Sequence, residues 1–173
     1  MFRKIRLFIR QPFTQNKSDK EILKMNKILT NYKKYPLDLL PYENTCSETT
    51  DFKKIFEKKT KIPFNPENFR NYRLDNIRKC NSMFIIRNNF SESTAFELGY
   101  IYSKYPNLPI FFAINNTSPI KTTLLKDIHP NVTYINYDEI NDVKIRLYNW
   151  LDDVAIYNNV PIKGGYHKYE IYK

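Results

Sequence analysis

The chain has 173 residues, enough for one domain with a substantial core. Its 42% hydrophobic and 16% aromatic content excludes a disordered polymer. An excess of 28 basic over 18 acidic residues gives +10 at neutral pH, which favours anionic partners: nucleotides, nucleic acid or an acidic protein surface. In chain order, Ile5–Arg10 reads as a first strand, with Leu7, Phe8 and Ile9 closed by Gln11 and Pro12. Ser18 to Glu21 has the form of a capping box. It opens a helix with Ile22, Met25, Ile28 and Leu29 at helical spacing, ending before Pro36. Leu37–Leu40 is a short second strand. Residues 42–65 are polar, with a possible short helix over 51–59, and their length suggests a lid or an interface. Pro66 suits a helix first turn, and Phe69, Tyr72, Leu74 and Ile77 form a loose apolar face up to Lys79.

Residues 82–86 form a continuous apolar run, as expected of a strand covered on both faces. A helix over 92–105 follows, with Ala95, Leu98, Tyr102 and Tyr105 as its predicted buried stripe and Glu97 off that stripe, facing a crevice. A strand over 109–114, a short helix over 119–126, a strand over 132–136 and a helix over 139–154 with Trp150 complete the pattern. Strands alternating with helices imply a flavodoxin-like three-layer α/β domain. The expected sheet is parallel and five-stranded, in the order 2-1-3-4-5. The domain should occupy 1–157, leaving 158–173 as an arm or subunit contact.

Several functions are excluded or disfavoured. Glycine occurs only at 99, 164 and 165, so neither a Walker P-loop nor a GxGxxG dinucleotide turn is present. Cys46 and Cys80 lack metal-ligand spacing and are expected as reduced thiols. His129 and His167 are the only histidines, too few for a structural zinc site or a Ser-His-Asp triad to be expected. No apolar run approaches the ~18–20 residues that span a bilayer. The basic start, interrupted by Arg6 and Arg10, does not resemble a signal peptide, so a cytoplasmic protein with no membrane association is expected. Tyr166, Tyr169 and Tyr172 in a basic tail would suit single-stranded nucleic acid, but no nucleic-acid fold signature accompanies them.

The informative segment runs from Met83 to Tyr100: an apolar strand, a hydroxyl-rich loop, then a helix with a carboxylate in its second turn. Such joints form the ligand crevice of parallel sheets, and the free N–H groups of the helix start hold anions. Ser93 and Thr94 lie four and three residues before Glu97, on one helical face. Ser91, Ser93 and Thr94 either cap the helix or hold phosphate. Asn88 and Asn89 either orient ribose hydroxyls or make the turn. Arg10 and Arg87, at strand ends, either meet phosphate or sit as rim charges. Glu92 complements the helix dipole.

Ser93-Thr94-Ala95-Phe96-Glu97-Leu98-Gly99-Tyr100, followed by Leu108-Pro109-Ile110, resembles the signature helix and next strand of the nucleoside 2-deoxyribosyltransferase-like superfamily. The run from Leu7 to Phe13 is similar to that family's first strand and Gly-Pro-Phe loop. The resemblance implies cleavage or exchange at the N-glycosidic bond of a nucleoside or 5′-nucleotide. Glu97 would attack the anomeric carbon, and Ser91 and Ser93 would hold the phosphate. It also implies a homo-oligomer, and a reaction without metal or redox cofactor. Four positions depart from the pattern. Phe8 replaces a tyrosine that hydrogen-bonds the nucleophile, Gln11 and Ser93 replace glycines, and Asn88 or Asn89 replaces an acidic residue. These departures leave open a catalytically inactive nucleotide-binding or sensing protein. The segment from Ile85 to Leu98 is also similar to TIR domains, in which a serine precedes a helical glutamate by six residues, as Ser91 precedes Glu97. That likeness implies an NAD glycohydrolase, although the TIR Trp-Cys pair is missing near Thr94 and Ala95.

Overall fold

The computed structural model describes residues 4–10, 18–40, 52–87, 92–117 and 131–163. Its elements are β1 (Ile5–Arg10), α1 (Ser18–Asn31), β2 (Leu37–Leu40), α2 (Phe52–Thr60), α3 (Pro66–Lys79), β3 (Ser82–Arg87), α4 (Glu92–Lys104), β4 (Ile110–Asn115), β5 (Val132–Tyr137) and α5 (Ile140–Tyr157). The strands form one sheet in the order β2-β1-β3-β4-β5, and every neighbouring pair is parallel. This is the expected flavodoxin-like three-layer fold. The expected helix over 119–126, the Ser18 capping box, Cys46, His129 and His167 lie outside the described residues or side chains.

Strand alternation divides the core into two layers. Ile5, Leu7 and Ile9 of β1 join Phe84, Ile86, Phe111 and Ala113 under α1 and α5, where Trp150 packs on Phe111 at 5.4 Å between ring centroids. Phe8, Met83, Ile85, Ile110 and Phe112 point to the opposite face, under Ile77 of α3 and Leu98 and Ile101 of α4. The central strands are buried throughout because both faces are covered. In register, Phe8 lies beside Met83 and Arg10 beside Ile85, so the carboxyl ends of β1 and β3 meet.

One sequence expectation needs correction. The buried face of α4 is Thr94, Glu97, Leu98 and Ile101, while Ala95 and Tyr102 are exposed. The short helix expected over 51–59 is α2, pinned to the domain by Phe56. That ring is fully buried in edge-on contact with Phe64, Phe69 and Tyr72; of the stretch 42–65 expected as a lid or an interface, residues 42–51 lie outside the described residues. The chain also stays on the domain past 157. Val160 N–H donates to Ala155 O at 2.8 Å and Asn159 N–H to Ile156 O at 3.0 Å, with Asn159 left-handed at φ 53°, which is a Schellman cap. Val160 is fully buried and Lys163 N–H donates to Lys34 O, so residues 158–163 pack on the domain, and the rest of the arm expected over 158–173 lies outside the described residues.

Gly99 stands on the exposed side of α4, and a Cβ there would meet nothing within 4 Å. Helix-interior glycine costs roughly 0.5–1 kcal/mol against alanine. Gly99→Ala is therefore expected to raise stability by about that amount in urea unfolding. A loss of stability would mean that Gly99 is approached closely by something beyond the described residues, such as a second subunit.

Candidate active site

β1 connects through α1 to β2 on one side, whereas β3 continues to β4 on the other, so the crevice between the ends of β1 and β3 is the topological switch point. Arg10 ends β1 and Arg87 ends β3, and alternation places both on the face of α3 and α4. Glu97 approaches from the second turn of α4, and Arg73 from the middle of α3.

These residues form a buried cluster. Arg73 donates to the Glu97 carboxylate as a fork, Nε to Oε1 at 2.7 Å and Nη2 to Oε2 at 3.1 Å. Arg10 Nε lies 3.3 Å from Glu97 Oε2 and donates to Thr94 Oγ1 at 3.0 Å. The Arg73 guanidinium also stacks 4.4 Å from the Phe8 ring centroid, a cation–π contact. Glu97 is 4% exposed and Arg73 3% exposed, so both charges are taken out of water and held by each other.

Burial pulls the Arg10 guanidinium down to about 10; the Glu97 charge opposes the shift and the Arg73 charge adds to it. Arg10 is still cationic at neutral pH. Because its folded value lies below its unfolded one, the cost of burying it is constant below about pH 10 and is relieved only as pH rises through that value. Burial also lowers Arg87.

A cleft of about 370 Å³ lies between α3 and the start of α4, touching Arg73 and Glu97. Its walls are apolar at Pro66, Phe69, Leu74 and Phe96, and polar at Arg70, Glu92 and Ser93. An apolar cleft with a few convergent charged groups is the usual form of a small-molecule site. Among the described residues, no group of three or more His, Cys, Asp or Glu side chains converges as a metal site would require. No described helix is long and apolar enough to cross a membrane.

Of the residues singled out in the sequence, Glu97 and Ser93 line the cleft, and Arg10 and Thr94 sit against Glu97. Phe8 is fully buried beneath Arg73. Arg87 is buried at the same sheet edge. Gln11, Asn88, Asn89 and Ser91 lie outside the described residues. The expectation that Glu97 avoids the buried face is overturned: its carboxylate is buried because two guanidiniums are there to receive it. Sequence reasoning missed Arg73, Arg70, Phe69 and Phe96 as site residues. Arg73 left one signal, since it stands four residues after Phe69 and four before Ile77, a charge in the middle of an inward-facing row.

Removing one partner of a buried ion pair costs about 3–5 kcal/mol, because the remaining charge is left without compensation. Glu97→Ala is expected to lose roughly that much stability in urea unfolding. The Glu97→Leu/Arg73→Met double variant should regain a large part of it. A Glu97→Ala loss below about 1 kcal/mol, the range of exposed pairs, would mean that the cluster is not formed in solution.

No protein-family model matches the sequence, and no curated protein matches it. Among solved structures, the chain is similar to a 2-deoxyribosyltransferase from the psychrotolerant bacterium Bacillus psychrosaccharolyticus, with a TM-score of 0.50 and 18% identity over 80% of this chain and 89% of that one. It is also similar to the lysine decarboxylase LdcF of Francisella novicida (TM-score 0.43, 17% identity, 86% of this chain) and to the constitutive lysine decarboxylase of E. coli (TM-score 0.44, 16% identity, 90% of this chain). This chain spans only 17% and 18% of those two decarboxylases. At such identities the likeness is one of fold: the three-layer α/β architecture is shared with the transferase over most of both chains.

Proposed function

We propose that the protein cleaves or transfers at the N-glycosidic bond of a nucleoside or 5′-nucleotide, with Glu97 as the group that meets the anomeric carbon. The observation that carries this proposal is the position of Glu97, which lines a cleft of about 370 Å³ and pairs with Arg10 at the end of β1, beside the switch point of a parallel sheet. The fold likeness to a 2-deoxyribosyltransferase and the resemblance of residues 93–100 to the corresponding signature helix support the same chemistry. In the proposed reaction a Glu97 oxygen forms a bond to C1′ while the bond from C1′ to the base nitrogen breaks. The electron pair leaves with the base, which takes a proton from solvent. Water, or a second base in a transferase, then attacks C1′ and returns the carboxylate. Phe69 and Phe96 give the cleft flat apolar surface suited to a base. Ser93 and the N–H groups at the start of α4 would hold a phosphate, with Arg10 or Arg87 supplying positive charge from the strand ends.

One observation favours a second function, that of a nucleotide-binding or sensing protein without turnover. Glu97 is engaged by two guanidiniums, and a carboxylate so neutralised is a weaker nucleophile than a free one.

The test is base release, followed by chromatography, from a panel of ribo- and deoxynucleosides, their 5′-monophosphates and NAD. Wild type is expected to free base from at least one member, and Glu97→Gln to lose at least about 100-fold in kcat, the scale of removing a group that acts in the transition state. Release from NAD alone would move the assignment to a TIR-like glycohydrolase. No release, with nucleotides still bound in calorimetry, would leave the sensor.

A further inference from the structure

We propose that Arg73 is an anion-exchangeable latch on Glu97: an anionic group of the ligand entering the cleft takes the guanidinium, and only then is the carboxylate free to act. This deepens the proposed function and rests on it for the role of Glu97.

Four observations converge on the latch. Arg73 uses two of its donors on Glu97, one to each carboxylate oxygen, so the fork closes off both atoms that would bond to carbon. Arg10 meets the same carboxylate from the end of β1, which places two cations on one anion and lets Glu97 keep a counter-ion when Arg73 moves. Both Arg73 and Glu97 line the cleft, so the two partners of the ion pair belong to its wall. Arg70, one turn before Arg73 on α3, lines the same cleft and adds a second positive charge where an anion would enter.

A guanidinium presents the same planar fork to phosphate as to carboxylate, and phosphate carries more charge, so the exchange conserves the hydrogen bonds of Arg73. The Phe8 face at 4.4 Å supports the cation while it changes partner, because a ring quadrupole holds charge without requiring fixed donor geometry. An uncharged nucleoside offers nothing to replace Glu97 and would leave the guanidinium buried and uncompensated, the costly outcome. The latch therefore selects a sugar carrying a phosphate over the same sugar without one.

The experiment uses ribose 5-phosphate and ribose, which carry no base and cannot be turned over. Binding is measured by calorimetry to the full chain as wild type, Glu97→Gln and Arg73→Met, with folding of each checked by circular dichroism and thermal melting. Ribose 5-phosphate should bind wild type at least 10-fold more tightly than ribose. Glu97→Gln should bind it at least 10-fold more tightly still, since the internal competitor is gone. Arg73→Met should bind it at least 10-fold more weakly. Should Arg73→Met fail to fold, Arg73→Lys replaces it, with the charge kept and the fork lost, and the affinity should fall between wild type and no binding. Equal affinity in all variants, or no preference for the phosphosugar, overturns the latch. The two proposals fail separately. A protein that shows this binding pattern yet releases no base loses the proposed activity and keeps the latch, whereas one that releases base equally well from a nucleoside and its 5′-monophosphate keeps the activity and loses the latch.

Discussion

The arrangement of this site depends on one buried carboxylate shared by two guanidiniums. Taking each of three ions out of water costs several kcal/mol, and attraction repays that only when geometry is good and the remaining donors are used. The partners come from three elements: Phe8 and Arg10 from β1, Arg73 from α3, and Thr94 and Glu97 from α4. Satisfying the cluster therefore sets both helices against the carboxyl end of β1. α3 needs this, since its buried residues are Arg73, Asn76 and Ile77, only one of them apolar. A helix with so little apolar surface is docked by its charge cluster below and by the Phe56 aromatic nest at its start.

The same cluster departs from the arrangement that the sequence resemblance implies. A phenol at position 8 would orient the glutamate with a neutral hydrogen bond and leave its charge in place. Here the ring at that position is a phenylalanine, and it carries the cation that performs the orienting. A guanidinium fixes the carboxylate more rigidly than a phenol, yet also neutralises it. If Glu97 acts as proposed, orientation and activation, which one neutral donor can combine, are set against each other in this chain.

The strands were legible because β3 and β4 carry continuous apolar runs and β1 carries Leu7, Phe8 and Ile9 together, and runs of that kind belong in the middle of a doubly covered sheet. The face of α4 was not. Thr94, Glu97, Leu98 and Ile101 recur at helical spacing, but two of the four are polar, so a search for apolar periodicity turned the helix toward Ala95 and Tyr102 instead. Arg73 was hidden for the same reason. Hydrophobic patterning finds a buried face only where the buried atoms are apolar, and it fails where a site replaces core with paired charge. Glu97 was picked out by its neighbours in sequence; its partners lie 24 and 87 residues away along the chain, a separation that only the sheet register closes.

The excess of positive charge also reads differently once its location is known. Counted along the chain, the net +10 suggested a broad attraction to anions. Among the described residues no lysine is buried, whereas Arg10, Arg73 and Arg87 are. This division follows from hydration: an ammonium holds its water tightly, while the planar guanidinium is more weakly hydrated and pairs in a fixed fork. Exposed lysines act through a solvent that screens them within about 8 Å at physiological salt, so they chiefly change how often an anion arrives. Buried guanidiniums act through a less polar medium, where each unit of charge weighs several times more. Under the proposed function, discrimination among anions would come from the few desolvated arginines on β1, α3 and β3, and the surface charge would set only the rate at which candidates are sampled.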